Sequence, residues 1–181
     1  MTNAKQLYFL KGHRMKKHII TIDGGTTNTR CILWDDSKNK LFESKREVGV
    51  RNTAIDGNNL RLKSAVKECL DELLDKANIS FNEVSLLIAS GMITSDVGII
   101  EVPHLIAPAD LDLIANSTVS IELPEICPLP IHFIPGIKNN DGSEIDFSNY
   151  EAMDIMRGEE VESLAIINKF HCNRQRHLDN S

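Results

Sequence analysis

The stretch DGGTTN, residues 23–28, lies between two short apolar runs and is the feature that most restricts the fold. His18–Ile22 leads into Asp23, and Thr29–Trp34 has the β-forming residues of a partner strand. A tight hairpin turn needs about two residues of special conformation. This turn instead carries an acid, two glycines and two threonines. The surplus predicts a hairpin whose tip holds a ligand, with a phosphate and its metal ion as the best candidate.

The rest of the chain predicts an α/β domain. Lys40–Val50 has enough β-formers for a third antiparallel strand, and its charges favour an edge position. Apolar residues at three- and four-residue steps predict a helix from Leu62 to about Asn78. Ser85–Gly91 and Ile131–Gly136 are nearly continuous apolar runs, typical of inner strands buried on both faces. This order is that of a ribonuclease-H-like domain, a mixed sheet of three antiparallel and then parallel strands with flanking helices.

The remaining segments define the expected domain organisation. A short helix is predicted at Ala109–Asn116, a polar loop at Lys138–Tyr150 and a further helix at Met156–Ile167. Residues 1–14 are expected to form a disordered extension ahead of a domain at residues 15–167. Residues 168–181 are expected to form a polar tail.

Composition excludes several classes of protein. The chain has 181 residues, of which 41% are hydrophobic and 25% charged, as in one globular domain. A formal charge of −6 argues against a nucleic-acid surface. No apolar run approaches a membrane span, and the start lacks the cleavage site of a secretion signal. The four cysteines form no CxxC pair and are expected to be reduced, buried thiols. A cytoplasmic protein with no nucleic-acid or membrane partner is the expectation.

The tip residues have the chemistry of a phosphate site. Gly24 and Gly25 permit positive φ and a close approach of the backbone to an anion. Thr26 and Thr27 carry hydroxyl groups that can donate to phosphate oxygens. Asp23 would repel bare phosphates, so its position is explained by a magnesium ion between them. The alternative is a hairpin without a ligand, since Asp-Gly-Gly is also common in ordinary turns.

Three blocks of sequence resemble one family. IDGGTTNTR, residues 22–30, resembles the first phosphate motif of the superfamily of sugar kinases, actin and heat-shock-chaperone ATPases. More narrowly, it is similar to the D-x-G-[ST]-T-N-x-R opening of the 2-dehydro-3-deoxygalactonokinases. Ser90–Asp110 is similar to that family's G-M-x-G-S-x-x-G-W…P-Y…P-A segment. Phe133–Ile137 with Asp154–Glu160 resembles its I-P-G-[LI]…D-V-M-R-G-E-E pattern. The blocks occur in family order.

The resemblance implies a kinase of galactonate catabolism that phosphorylates 2-dehydro-3-deoxygalactonate, a 2-keto-3-deoxy sugar acid, at its terminal hydroxyl, using ATP and Mg2+. It implies these roles: Asp23 as metal ligand and catalytic residue; Gly24, Gly25, Thr26, Thr27 and Asn28 as phosphate ligands; Gly91, Met92, Thr94, Ser95, Asp96 and Arg157 as substrate ligands; Arg157 and Glu159 as catalytic residues. Glu159 is the implied base, with Asp154 and Glu160 in reserve. From local sequence alone, Ser90–Asp96 could equally be a plain surface loop, and the acids after Arg157 could simply favour a helix dipole.

The sequence also departs from the family. Gly24, Ile99 and His104 stand where the family has aromatic residues, and Thr94 stands where it has glycine, which leaves the identity of the sugar acid open. The resemblance ends near Glu160, so the chain is expected to be the first half of a two-domain kinase with little turnover alone. It would then self-associate or pair with a separate second domain. The alternatives are a non-catalytic sugar-acid or nucleotide-binding fragment, a kinase of another sugar, and a degenerate product of a truncated gene.

Overall fold

The computed structural model describes residues 17–139 and 155–159. Its main element is a six-stranded sheet with the order β3-β2-β1-β4-β7-β6. The strands are β1 (His18–Gly24), β2 (Thr29–Trp34), β3 (Lys40–Arg46), β4 (Val84–Gly91), β6 (Val119–Ile121) and β7 (Ile131–Phe133). β1, β2 and β3 are antiparallel, while β4 and β7 run parallel to β1. The predicted mixed sheet is confirmed, and so is the edge position of β3.

Three helices accompany this sheet, namely α1 (Val50–Asp56), α2 (Leu60–Ala77) and α3 (Leu111–Ser117). Helix α2 covers β2 and β3 with the face that the sequence predicted. The buried residues of that face are Leu62, Ala65, Val66, Cys69, Leu70, Leu73 and Leu74. The helix ends at Asn78, whose φ of 51° is the left-handed conformation that stops helices. Cys31, Cys69 and Cys127 are free and buried, as expected, and Cys172 lies outside the described residues.

Helix α1 was not predicted, and tertiary contacts explain why it forms. The run VRNTAID is short and rich in β-branched residues, which gives it little helical preference of its own. Its first amides find acceptors outside the helix: Val50 N donates to Gly25 O and Arg51 N donates to Thr26 O. The hairpin tip therefore holds the start of α1.

A second, smaller sheet was also missed. It joins β5 (Leu105–Ile106), β8 (Ile137–Lys138) and β9 (Ile155–Met156) in the order β5-β8-β9. Each of these strands is two residues long, which is too short for a sequence pattern. Because Met156 lies in β9, the predicted helix does not begin there. The small sheet carries the residue that follows β9, Arg157, towards the carboxyl end of β4.

Two predicted strands differ in detail. β4 alternates between buried and half-buried residues, so Leu86 and Ile88 are only half-buried and the strand is not covered on both faces. β7 ends at Phe133, two residues before Pro135, which has no amide hydrogen to donate. The expected extension at residues 1–14, the tail at 168–181, Asp154 and Glu160 lie outside the described residues. No helix in the described part of the chain is long and apolar enough to cross a membrane.

Candidate functional site

The hairpin tip, residues 24–28, is open to solvent at its centre. Thr26 and Thr27 are exposed, and Gly25 and Asn28 are half-buried. The Gly25 amide closes the turn by donating to Asn28 O at 2.8 Å. Within the described residues, the amides of Thr26 and Thr27 have no backbone acceptor. Exposed amides next to two hydroxyl groups suit an anion.

A cleft of about 340 Å3 lies beside this tip. We call it the tip cleft. It is lined by Asp23, Gly25, Thr26, Thr27, Asn28, Arg30, Glu43 and Lys45. Four of the five predicted phosphate ligands thus line one cleft with the predicted metal ligand. Gly24 lies behind it, where an added Cβ would stand 2.5 Å from Ile93 Cβ. Glycine is therefore required there by close packing.

The cationic side of the tip cleft was not predicted. Asp23 pairs in register with Arg30, and Arg30 pairs with Lys45, so the three residues form a row across β1, β2 and β3. Directly opposed residues share one face of a sheet. Arg30 Nη2 donates to Asp23 Oδ2 at 3.0 Å. Two positive charges consequently lie next to the tip, a feature that aligning the predicted strands could have revealed.

The residues present fit a magnesium ion. Asp23 offers a carboxylate whose side chain is 50% exposed at the cleft. Among the described residues there is no group of three or more His, Cys, Asp or Glu side chains that could hold a metal. Magnesium bound to phosphates needs only one or two carboxylates and keeps several waters. One carboxylate at the cleft is therefore compatible with a magnesium ion that phosphates would hold for the most part.

The three sequence blocks converge on Gly91, at the carboxyl end of β4. Gly24 is its register partner on β1. A Cβ on Gly91 would lie 2.9 Å from Gly24 O and 3.2 Å from Asp23 Oδ1. From the other side, a Cβ on Gly158 would lie 3.4 Å from Gly91 Cα. The exposed Glu159 directly follows this contact. The fold therefore brings the tip, the Gly91 segment and Gly158 together, and Glu159 is the next residue in the chain.

A second cleft of about 340 Å3 is lined by Met92, Ser95, Asp96, Glu101, Pro103, His104 and Arg157. We call it the Met92 cleft. It brings together four of the six predicted substrate ligands, and Gly91 lies next to it in the chain. Glu101, Pro103 and His104 were missed because no local pattern marks them.

Thr94 does not line the Met92 cleft. Its side chain is fully buried, and Thr94 Oγ1 donates to Gly91 O at 3.0 Å. Thr94 Oγ1 also accepts from Arg157 Nη1 at 2.7 Å. The hydroxyl group therefore supports the cleft from behind, and its predicted contact with a substrate stays a prediction.

Arg157 is held by backbone and side-chain acceptors of the cleft wall. Its Nη1 donates to Thr94 O at 2.6 Å, and its Nη2 donates to Val102 O at 3.0 Å. Nη2 also lies 3.1 Å from His104 Nδ1. Burial, followed by the positive charges of Arg157 and Lys138, lowers the pKa of His104. Because a guanidinium group can only donate, His104 Nδ1 accepts a hydrogen bond from Arg157 Nη2.

The chain is similar in sequence to known proteins. The sequence profile of the family described as 2-keto-3-deoxy-galactonokinase matches residues 23–177. Glycerol kinases from Clostridium beijerinckii and Clostridium botulinum are 32% and 30% identical to the chain over 76 residues. That match covers 40% of this chain and 15% of each glycerol kinase.

One solved structure shares the fold. The crystal structure of a candidate 2-dehydro-3-deoxygalactonokinase from Sinorhizobium meliloti matches with a TM-score of 0.61 at 22% identity. The match covers 84% of this chain and 43% of the Sinorhizobium chain. The chain thus spans less than half the length of this structural relative.

Proposed function

Because the chain belongs to the 2-keto-3-deoxy-galactonokinase family, a family of sugar kinases, we propose that it takes part in phosphorylating 2-dehydro-3-deoxygalactonate at the terminal hydroxyl with ATP as phosphoryl donor. The observation that carries this proposal is the meeting of three sequence blocks at Gly91. It joins an anion-binding tip to a polar cleft at the carboxyl ends of parallel strands, where α/β proteins bind their ligands.

The tip cleft is the proposed site of the ATP phosphates. The amides and hydroxyl groups of Thr26 and Thr27 would donate to phosphate oxygens, with Asn28 beside them. Asp23 would hold a magnesium ion, which when bound neutralises charge on the transferred phosphoryl group. Arg30 already lies on Asp23 and adds a positive charge at the same wall. Preorganised donors and charges of this kind are the main means by which phosphoryl transfer is accelerated.

The Met92 cleft is the proposed site of the sugar acid. Asp96 offers a carboxylate to sugar hydroxyls, and Met92 supplies an apolar surface. The buried Ser95 hydroxyl donates to Met92 O at 2.7 Å, so towards a sugar hydroxyl it would act as an acceptor. Glu159 is the proposed base, and its support is that it directly follows Gly158, whose backbone lies against Gly91. A carboxylate there can accept the proton of the attacking hydroxyl. Asp154 and Glu160 are the alternative candidates for this base.

The test combines binding with turnover, since the chain spans 43% of its structural relative. Calorimetry with 2-dehydro-3-deoxygalactonate and with MgATP is expected to show binding of both. Asp23→Asn should remove the magnesium dependence of ATP binding, and Glu159→Gln should lower turnover by about a hundredfold or more while keeping binding. The proposal fails if the wild-type chain binds neither compound.

A neutral sugar or polyol is the second candidate substrate. The Met92 cleft contains the carboxylates of Asp96 and Glu101, which suit hydroxyl groups, and two sequence relatives are glycerol kinases. A panel of sugar acids, sugars and glycerol in the same calorimetric assay separates the two. Tighter binding of a neutral compound than of the acid would favour this second candidate.

A further inference from the structure

Arg157 joins separate parts of the Met92 cleft wall. Each terminal nitrogen of an arginine carries two hydrogens. Nη1 has two acceptors on Thr94, and Nη2 has Val102 O and His104 Nδ1. The four terminal hydrogens thus match four acceptors of the protein. A planar fork of this kind is what distinguishes arginine from lysine.

Thr94 and Val102 lie at the two ends of one loop. Val102 N donates to Thr94 O at 2.9 Å, so the segment 95–101 leaves and returns at the same point. Ser95, Asp96 and Glu101 of this segment line the cleft. Arg157 contacts both ends of the loop, Thr94 and Val102, which are 0% and 2% exposed. The contacts that hold the two ends of this loop together therefore set the separation of the side chains that line the cleft.

We propose that Arg157 is a positioning residue of the Met92 cleft, acting through Thr94, Val102 and His104 and not by pairing with the carboxylate of a substrate. This inference rests on the proposed function for the identity of the substrate. If the Arg157 guanidinium group moved to a substrate, buried acceptors such as Val102 O would lose their donor. A buried polar group without a partner costs free energy of folding. The terminal nitrogens therefore stay on the protein when a substrate binds.

The same contact fixes His104 in one tautomer. Because Nδ1 accepts from Arg157, the ring proton is on Nε2. Nε2 is buried and has no partner in the described residues. The Gly136 backbone lies against this ring, since a Cβ on Gly136 would be 2.9 Å from His104 Cδ2 and 2.5 Å from Arg157 Cγ. Glycine at 136 thus lets the arginine and the histidine pack together.

The first test needs no ligand. Nitrogen NMR of His104 should show an unprotonated Nδ1 in the wild type and a changed tautomer ratio in Arg157→Lys and Arg157→Gln. The Val102 amide should exchange about tenfold faster in both variants, because local opening becomes easier. Arg46→Lys is the matched control: Arg46 binds Glu68 and Glu72 in a network on α2, and its loss should leave His104 and Val102 unchanged. A protonated Nδ1 in the wild type, or unchanged His104 and Val102 in the Arg157 variants, overturns the proposal.

The second test separates positioning from direct pairing. Calorimetry compares 2-dehydro-3-deoxygalactonate with its primary amide, which has the same shape and no charge. A positioning residue predicts that both compounds lose about tenfold in affinity in Arg157→Lys, with their ratio unchanged. A loss for the acid at least about tenfold larger than for the amide indicates a direct ion pair and overturns the proposal. If the wild type binds neither compound, the proposed function fails, and the ligand-free measurements still decide the role of Arg157.

Discussion

Gly91 has a φ of +89°, a conformation that side chains with a Cβ rarely adopt. Its backbone also touches two other blocks of sequence, because Gly24 O and Asp23 Oδ1 lie on one side and Gly158 on the other. A side chain at this position would meet backbone strain and a backbone oxygen together. At the residue scale, the close contact between the ends of β1 and β4 therefore depends on the absence of a side chain at Gly91.

We predict that Gly91→Ala lowers the free energy of unfolding by about 2 to 4 kcal/mol, since a strained φ and a collision add. Gly57→Ala is the matched control, because Gly57 has a φ of +67° and nothing within 4 Å of an added Cβ. It should cost about 1 to 2 kcal/mol from backbone strain alone. Urea unfolding measures both. Equal losses in the two variants would show that the contact with Gly24 and Asp23 is unimportant.

The candidate site residues that could be predicted from the sequence are those whose chemistry is unusual for their position. The acid, glycines and threonines of residues 23–27 exceed what a turn needs, so they could be predicted. Lys45 was not predicted, because its relation to Asp23 appears only when the three strands are aligned in register. His104 was missed for a different reason: its role depends on Arg157, which is 53 residues away in sequence. Contacts of that kind arise from tertiary packing and leave no local pattern.

At the scale of elements, α2 is held to the sheet by its apolar face. We predict that Leu70→Ala, at a fully buried position, lowers the free energy of unfolding by about 2 to 5 kcal/mol because it leaves a cavity. Leu60→Ala in the same helix is the control, since Leu60 is 70% exposed and should change stability by about 0.5 kcal/mol or less. Thermal or urea unfolding followed by circular dichroism compares them. Similar losses would contradict the packing of α2 on β2 and β3.

Helix α2 is also linked to β3 by the carboxylate of Glu72, whose contribution to stability depends on pH. Hydrogen bonds from Lys76, Ser44 and Arg46 lower the pKa of Glu72 from 4.5 to about 2. A carboxylate whose pKa falls on folding stabilises the protein above its unfolded pKa, and that contribution disappears as the pH drops from about 4.5 towards 2. We predict that Glu72→Gln costs about 1 kcal/mol at pH 7, a modest value because the pair is partly exposed to solvent.

The pH series provides the check on this prediction. The difference in stability between the wild type and Glu72→Gln should shrink steadily between pH 5 and pH 2. Glu122→Gln, at an exposed residue after β6, is the control and should follow the wild type throughout. A difference that stays constant with pH would mean that the charge of Glu72 is not what stabilises the junction.

The elements that could be predicted are those with a long or regular pattern. The helix α2 and the strands β1 to β4 show their periods over six or more residues. The seven-residue helix α1 and the two-residue strands of the small sheet do not. α1 forms because Gly25 O and Thr26 O accept its first amides, and a backbone contact of this kind has no signature in the side chains. Short elements are thus decided by their neighbours.

At the scale of the whole molecule, the tip cleft is lined by neighbours of Gly24 and the Met92 cleft by the residue after Gly91, and Gly24 pairs with Gly91 in the sheet. The two linings share no residue. The tip cleft contains Asp23, and the Met92 cleft contains Asp96. Their chemistry is separable because the proposed roles differ: one carboxylate holds a metal, and the other binds hydroxyl groups. A ligand that binds only the folded state stabilises it by about 2.7 kcal/mol at a hundred times its dissociation constant. Thermal unfolding can therefore report each cleft independently.

We predict a reciprocal pattern of thermal shifts. Asp23→Asn should lose the stabilisation by MgATP and keep that by 2-dehydro-3-deoxygalactonate, whereas Asp96→Asn should do the opposite. Both side chains are at least partly exposed, so each variant should unfold within about 1 kcal/mol of the wild type without ligand. Loss of both shifts in either variant would mean that the two clefts form a single site. If the MgATP shift survives in Asp23→Asn, the metal and the phosphates bind elsewhere, since Asp23 is the proposed metal ligand at the tip.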